Sequence, residues 1–538
     1  MKICNFLKLG ERLKETSHRF PLGVGILVLL TLIFLYVIHS DGDNVELLIQ
    51  IVCSLIITFF SYVGLVIYTE NMKKISHIKK YSIQALSVLF GGLFFWSFNG
   101  DLESFETLIF FILSMIGIFG FLFSAPYLQK KVFPGEVYYN YLYTTLSAFI
   151  LAYIMGIFIL LLGVIALGAI DTLITNVDET FFGYWITISC VLVAPLFGLS
   201  YLPDNKEVHK EVAPLNSFVK FMIQYALFPA ICVYFIILYI YSIKLALSFG
   251  DWPKGEVSWL VIGFTIFGYI TYILSYIYTK SNKAIGIFRK YFPYAVLPQI
   301  LILFYSIYLR IAQYDLTINR YFIVLFGISL TVLSLYFIFS SAKRLIAFPV
   351  SLICISLLVS IGPWSIYQLP ASSQLKSLKS ELVEANILQG ETIVPLANKT
   401  DISKELSNSI YTKIDYLCDY HSCYGLEELF AELYATLEDD PSRWTIVHNI
   451  TEKIGVDRHY SYGSTNDNYF SVGLGYNSSF FPIDVSGYSQ IIEISSYNND
   501  NIYIDYDKKI LVLKEYPEIG EIFLGEIFYS LEKHQVAT

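Results

Sequence analysis

The chain has 538 residues, 55% of them apolar and only 15% charged, with a mean hydropathy of +0.57. Soluble domains carry about 25% charged residues, so this composition excludes an all-soluble fold and requires lipid as part of the solvent. The net charge of −9 is unevenly divided. Residues 1–370 hold 24 Lys/Arg against 19 Asp/Glu, and residues 371–538 hold 12 against 26, which puts +5 on the first part and −14 on the second. So acidic a C-terminal part excludes nucleic acid as its partner, because phosphate binding needs a basic face.

The N-terminus carries Lys2, Lys8, Arg12, Lys14 and Arg19 before an apolar run from Phe20 to Ile38. That run is long for a signal-peptide core and no small-residue cleavage site follows it, so it is expected to be a retained first span. Ile3, Phe6, Leu7 and Leu13 suit either an amphipathic helix on the inner membrane surface or a plain basic flank. Eleven apolar stretches then have roughly the length that crosses hydrocarbon as a helix. They are 20–39, 46–68, 82–98, 107–125, 141–169, 181–200, 218–249, 257–278, 291–311, 321–341 and 345–364. Pro229 in the seventh, and Pro293 and Pro298 in the ninth, predict kinks or helix ends.

Loop charges set the expected orientation, because Lys and Arg collect on the cytoplasmic side. Lys73, Lys74, Lys79, Lys80, Lys130, Lys131, Lys206, Lys210, Lys280, Lys283, Arg289, Lys290, Lys343 and Arg344 all fall in or beside even-numbered loops. The first, third and fifth loops carry Asp41, Asp43, Glu46, Asp101, Glu103, Glu106, Asp171, Asp178 and Glu179, with no Lys or Arg. The expectation is a multi-pass protein of the bacterial inner membrane, with the N-terminus inside and the C-terminus outside. The divisions are a basic cytoplasmic segment (1–19), a transmembrane helical domain (20–364), a polar linker (365–375) and an extracytoplasmic acidic α+β domain (376–538).

In that last domain, helices are expected near 376–388, 401–420, 426–438 and 442–454, with Asp401 capping the second. Period-two alternation predicts strands at Tyr469–Tyr476, Ser489–Ser496, Ile502–Tyr506 and Ile510–Lys514, and a final helix near 518–533 closes the chain. Cys418 and Cys423 are either a small disulfide loop or two thiols at a helix end. The other cysteines lie in or beside apolar spans, and no zinc-ligand spacing appears.

The stretch from about 216 to 370 resembles a bacterial membrane family known as domain of unknown function 4153. The likeness lies in Leu238-Tyr239-Ile240-Tyr241-Ser242-Ile243-Lys244, running into Trp252-Pro253-Lys254-Gly255-Glu256. It continues in Phe292-Pro293-Tyr294 with Leu297-Pro298, and in Arg310-Ile311-Ala312-Gln313-Tyr314-Asp315-Leu316-Thr317-Ile318-Asn319-Arg320-Tyr321. Phe20-Pro21-Leu22 is also similar. Family members carry Gly where Asp315 stands. The resemblance implies architecture and brings no activity with it.

No phosphate-binding loop, zinc-protease helix or nucleophile elbow is present, so no catalytic motif and no cofactor is expected, and the balance leans away from an enzyme without deciding it. His448 and His459 read as surface residues. No Asp or Glu lies deep in a span, which weighs against a proton-coupled carrier. Four cations sit on the expected outer side against the general bias: Lys244, Lys254, Arg310 and Arg320. Either Lys244 snorkels to the interface, Arg310 pairs with Asp315 and Thr317 caps the tenth span, or the cations converge on an anionic lipid, a phosphate or the acidic tail. Tyrosines at span ends, as in Tyr138-Tyr139-Asn140-Tyr141, suit interfacial belts. The leading expectation is a membrane-embedded sensor or assembly scaffold whose outer domain binds a partner. A transporter or lipid-handling carrier and a lipid-linked transferase are the alternatives.

Overall fold

A run of about twenty apolar residues has one stable way to cross hydrocarbon alone, as a helix whose backbone groups pair internally. The computed structural model follows that rule. It describes residues 4–40, 45–72, 75–97, 105–130, 132–204, 220–247, 256–390, 392–396, 402–434, 442–456, 502–505, 510–513 and 521–523. The N-terminal half comprises α1 (Cys4–Arg19), α2 (Pro21–His39), α3 (Val45–Glu70), α4 (His77–Ser97), α5 (Phe105–Ser124), α6 (Gly135–Leu173), α7 (Glu179–Thr187) and α8 (Ala194–Tyr201). Then come α9 (Phe228–Leu247), α10 (Glu256–Leu274), α11 (Lys283–Tyr314), α12 (Ile318–Phe339) and α13 (Ala347–Ser360). Eight helices among the described residues are long and apolar enough to cross a membrane. The chain is a helical membrane protein.

After the spans come α14 (Leu369–Glu384), the hairpin β1 (Leu388–Gln389) and β2 (Thr392–Ile393), α15 (Lys404–His421), α16 (Leu426–Leu429), α17 (Ala431–Tyr434) and α18 (Arg443–Ile454). Residues 1–460 form one compact unit and 461–538 a second. In the second, β3 (Ile502–Asp505), β4 (Ile510–Leu513) and β5 (Glu521–Phe523) form an antiparallel sheet in that order. Ile502 pairs with Leu513, and Ile510 with Phe523.

Several expectations are corrected. The 365–375 stretch is no loose linker throughout, since α14 starts at Leu369 with Pro370 in its first turn, where the missing N–H costs nothing. Ser403 rather than Asp401 caps α15, accepting from Leu406 N; Asp401 lies outside the described residues. The helix expected near 426–438 breaks at Phe430 into α16 and α17. Residues 521–523 of the expected final helix form β5, because Ile522 and Phe523 find ladder partners on β4. The strands expected at 469–476 and 489–496, and His459, lie outside the described residues.

Prolines are handled in two ways. Pro195 and Pro229 each open an α-helical segment preceded by a π turn, at Ile188–Val193 and Met222–Leu227. The wider turn makes room for a ring that would clash with the carbonyl four residues back. Pro293 and Pro298, by contrast, do not end α11, which runs on to Tyr314. Between them, Tyr239 Oη of α9 donates to Ala295 O (2.7 Å), which ties α9 to this stretch of α11.

The tyrosines at 138–141 are not an interfacial belt. Tyr138, Tyr139 and Tyr141 are fully buried in the main core. Tyr141 Oη donates to Leu122 O (2.6 Å), Tyr138 Oη to Phe123 O (3.2 Å) and Tyr139 Oη to Leu274 O (2.9 Å). These carbonyls are at the C-terminal ends of α5 and α10, where no further helical N–H is in line to satisfy them. Gly156 and Gly163 on α6 admit Ala194 and Trp185, so small residues here serve close packing.

A comparable device joins α1 to the spans. Arg19 donates Nε to Glu70 Oε1 and Nη2 to Glu70 Oε2, both at 2.9 Å, and its guanidinium also reaches Leu202 O (2.8 Å) and Pro203 O (2.9 Å). One fork thus ties the ends of α1, α3 and α8 together, with each side chain of the pair about four-fifths buried. Arg19→Ala strips all four bonds and leaves Glu70 without this partner. In thermal unfolding of the purified protein it should cost about 2–4 kcal/mol, less than a fully buried pair because water still reaches the site. Arg19→Lys, which cannot form the fork, should recover only part of that loss.

Candidate functional site

The described residues that bring charge, strain and two parts of the molecule together lie where α11 turns into α12 and the helices after the spans pack against that turn. α11 ends at Tyr314 and α12 begins at Ile318, so three residues make the turn. Asp315 stands at φ 59 and ψ −179, a conformation that is essentially glycine's own. A glycine would adopt it freely. With Asp the strain persists because neighbours hold the turn from several sides. Arg320 Nη1 donates to Tyr314 O (2.6 Å) and Asp315 O (2.5 Å). From α14, Gln374 Nε2 donates to Leu316 O (3.1 Å) and Ser373 Oγ accepts from Leu316 N (3.3 Å). From α15, Tyr416 Oη accepts from Ile318 N (2.9 Å).

Thr317 does occupy the N-cap position of α12, but its hydroxyl makes no capping bond; the Tyr416 phenol does that work. The expected pairing of Arg310 with Asp315 is also replaced. Asp315 Oδ2 lies 3.6 Å from Lys413 Nζ of α15, and Lys413 in turn bonds Glu381 Oε1 of α14 (2.7 Å) and Ser409 Oγ (3.0 Å). Lys413 is nearly buried, which suits a cation held by two carboxylates. Contact between the two parts therefore runs through a basic residue of the tail and an acidic residue of the spans, the reverse of what their net charges suggest.

Lys244 stands apart from this turn. Phe228 packs on Phe288 (5.7 Å between ring centroids), Tyr239 meets Ala295, and Ser242 Oγ donates to Gln299 Oε1 (2.9 Å). α9 and α11 therefore run side by side in the same direction, and Lys244 falls level with about residue 301. Arg310 lies about nine residues further along α11, roughly 14 Å at 1.5 Å per residue. Lys244 is exposed in the last turn of α9. Trp252, Pro253, Lys254 and Gly255 lie outside the described residues.

Beside the turn, α15 ends against α5. A disulfide joins Cys418 and Cys423 across residues Ser422 and Cys423, both at positive φ. His421 is buried, its Nδ1 3.8 Å from Glu106 Oε1, and neither ring nitrogen has a hydrogen-bond partner among the described residues. Tyr420 packs edge-on against Phe105 (4.8 Å). A cavity of about 210 Å³ opens here, lined by Phe105, the disulfide, Tyr420, Glu427, Tyr434 and Arg443. Burial, with Glu427 adding to it, pushes the Tyr434 phenol up to about 12. No group of His, Cys, Asp and Glu suited to a metal occurs among the described residues. Sequence reasoning missed Lys413, Tyr416 and Gln374; the helical stripe of α15 predicted its buried apolar face but not which polar residues would meet the spans.

Two outcomes follow. Asp315→Ala and Asp315→Gly both lose Lys413, but only Gly relieves the backbone. Thermal unfolding should therefore show Asp315→Ala less stable than Asp315→Gly by about 1–2 kcal/mol. Burial pushes Tyr416 up to about 12, so the stability its neutral form contributes is fully present below the ordinary tyrosine value near 10 and is lost as pH rises through about 12. The separation of spin labels on Gln313 and Lys404 should grow across that window, and Tyr416→Phe should remove part of the change.

No family model matches the chain, and no solved structure matches it. Among curated proteins it is similar to the uncharacterized protein PM1469 of Pasteurella multocida (strain Pm70), with 25% identity over 202 residues. That stretch is 37% of this chain and 34% of the relative, so the match spans about a third of the relative's length.

Proposed function

We propose that the chain is a membrane-embedded sensor or assembly scaffold, akin to the domain of unknown function 4153 family, that presents its C-terminal α+β domain outside the cytoplasmic membrane. The observation that carries this reading is the clasp just described. Helices that follow the last span are hydrogen-bonded and ion-paired to the turn between α11 and α12, so a change in one is felt by the other. Eight long apolar helices, with the shorter or more polar α4, α10 and α13, supply the eleven crossings that the alternating loop charges require. Eleven crossings from a cytoplasmic N-terminus bring the C-terminal domain outside. The clefts between spans also favour this reading over a carrier of polar solutes. One is lined by Phe59, Phe60, Leu122, Phe149, Ala194 and Leu202, another by Phe228, Ile231, Phe235, Phe264, Phe288 and Phe292. Such surfaces suit lipid chains.

Two measurements test the proposal, in a background lacking cysteines other than Cys418 and Cys423. Ser104→Cys and Asn176→Cys should react with an impermeant reagent from outside intact cells, while Ser76→Cys and Ser281→Cys should not. Labelling of the second pair would reverse the orientation. In opened membranes, adding Lys413→Met should change the labelling rate at Ser281→Cys at least severalfold if the clasp transmits a signal. An unchanged rate would leave a passive anchor and overturn the sensor reading.

A further inference from the structure

The Cys418–Cys423 disulfide closes a short loop at the end of α15, and the residues of α15 described above as touching α5 lie inside that loop. Tyr420 packs edge-on against Phe105, with 4.8 Å between ring centroids, and His421 Nδ1 lies 3.8 Å from Glu106 Oε1. No hydrogen bond anchors His421 there among the described residues. The Lys413–Asp315 pair and the Tyr416 bond to Ile318 N come earlier in α15 and hold the α11–α12 turn instead. The placing of Tyr420 and His421 against α5 therefore depends on what fixes the end of α15.

The disulfide supplies that constraint. Ser422 and Cys423 stand at φ 48 and φ 57, two successive residues with side chains in the left-handed region that favours glycine. In this conformation Cys423 N donates to Leu417 O (3.0 Å) and Tyr424 N to His421 O (2.9 Å), which turns the chain towards α16. Backbone of this kind persists only where its surroundings hold it, and opening the bond removes the covalent part of that hold. The bond is also within reach of a small molecule. Both cysteines are buried from bulk water, yet both are in the wall of the cavity of about 210 Å³ at this corner. Arg443 in the same wall offers a cation to an incoming thiolate, while Asp419 and Glu427 oppose a reductant that brings further negative charge. A dithiol without other charges meets both conditions.

We propose that Cys418–Cys423 is a reducible switch, opened by a neutral dithiol, that sets the grip of α15 on α5. One thiolate of the reductant attacks a sulfur of the disulfide, forming a mixed disulfide and releasing the other cysteine as a thiolate. The reductant's second thiolate then displaces the first cysteine. The reductant leaves as a cyclic disulfide, having given up two electrons, and its two protons end on Cys418 and Cys423. The switch deepens the sensor reading, on which it rests, by naming what would act on the tail. Its test reads only the end of α15, so it fails separately from transmission across the spans.

The purified full-length protein is treated with dithiothreitol without denaturant, and Cys418 and Cys423 are then assayed by alkylation and mass spectrometry. Both should be alkylated in the folded protein. If both resist until the protein is unfolded, the bond is out of reach and the proposal falls. Hydrogen exchange in the peptide spanning residues 416–424 next reads the grip on α5. In the oxidised protein Phe105→Ala should speed exchange about threefold to tenfold, the loss of one aromatic edge contact. In the reduced protein the same substitution should leave the rate unchanged, because the contact is already open. Equal acceleration in both states overturns the proposal, since the two effects would then be independent. Dithiothreitol should not alter exchange in the double variant Cys418→Ser, Cys423→Ser; a change there places its action elsewhere and also overturns it. If Phe105→Ala does not fold, Phe105→Leu keeps an apolar side chain without the ring, and equal acceleration by it in both states is again decisive against the switch.

Discussion

In hydrocarbon a backbone N–H or C=O without a partner costs several kcal/mol, and most of this architecture follows from that constraint. Helix interiors satisfy themselves. Helix ends do not, and each leaves up to four carbonyls or amides to be dealt with at the edge of the membrane. Here side chains deal with many of them. Tyr138, Tyr139 and Tyr141 meet the terminal carbonyls of α5 and α10. Arg19 meets those that follow α8, Arg289 meets Tyr272 O near the end of α10, and Arg320 meets those that end α11. Tyr416 and Ser373 accept from amides at the start of α12 and just before it. At these helix ends polar side chains take over the pairing that the helix interior supplies for itself.

This explains why two arginines and three buried tyrosines do different work from the same residues on a soluble surface. Arg289 is almost wholly buried, with its guanidinium 3.9 Å from the centroid of the Tyr272 ring and 5.0 Å from that of Tyr276. A cation so placed is tolerable because aromatic faces and a carbonyl replace its water. The same logic holds for Lys413 between Asp315 and Glu381. In each case the charge is fixed by a geometry that needs several elements to be in place at once, so these residues report whether the helix ends are assembled.

The spans were legible because length and apolarity alone specify them: each stretch picked out at 20–39, 107–125 or 321–341 is a helix with bounds within a few residues. What could not be read were facts set by tertiary partners. Nothing local distinguishes a tyrosine that points to the headgroups from one that caps a neighbouring helix, so the 138–141 cluster was assigned to the wrong environment. Pro293 and Pro298 look like kinks or helix ends because each removes an N–H, yet α11 runs through both to Tyr314, held by packing that no local pattern reveals. At the turn, Arg310 and Asp315 stand five apart and invite pairing, yet Asp315 turns to a lysine 98 residues further along. Ser403 outcompeted Asp401 as a cap by a shift of two residues that periodicity does not resolve. The strands Ile502–Asp505 and Ile510–Leu513 were legible from alternation, since period two is itself local.

The long separation between the α11–α12 turn and its partners also fixes an order of events during synthesis. Asp315 lacks its ion pair with Lys413, and the first amide of α12 its phenol acceptor, until Lys413 and Tyr416 exist, and about a hundred residues of chain lie between. At about 5–20 residues per second a ribosome needs roughly 5–20 s to make that stretch. For that interval the strained aspartate is without its cation and the start of α12 is without its phenol. A nascent chain cut short before residue 413 would therefore hold a full set of membrane helices and an unfinished turn, which gives a quality-control system a local difference between truncated and complete copies to act upon.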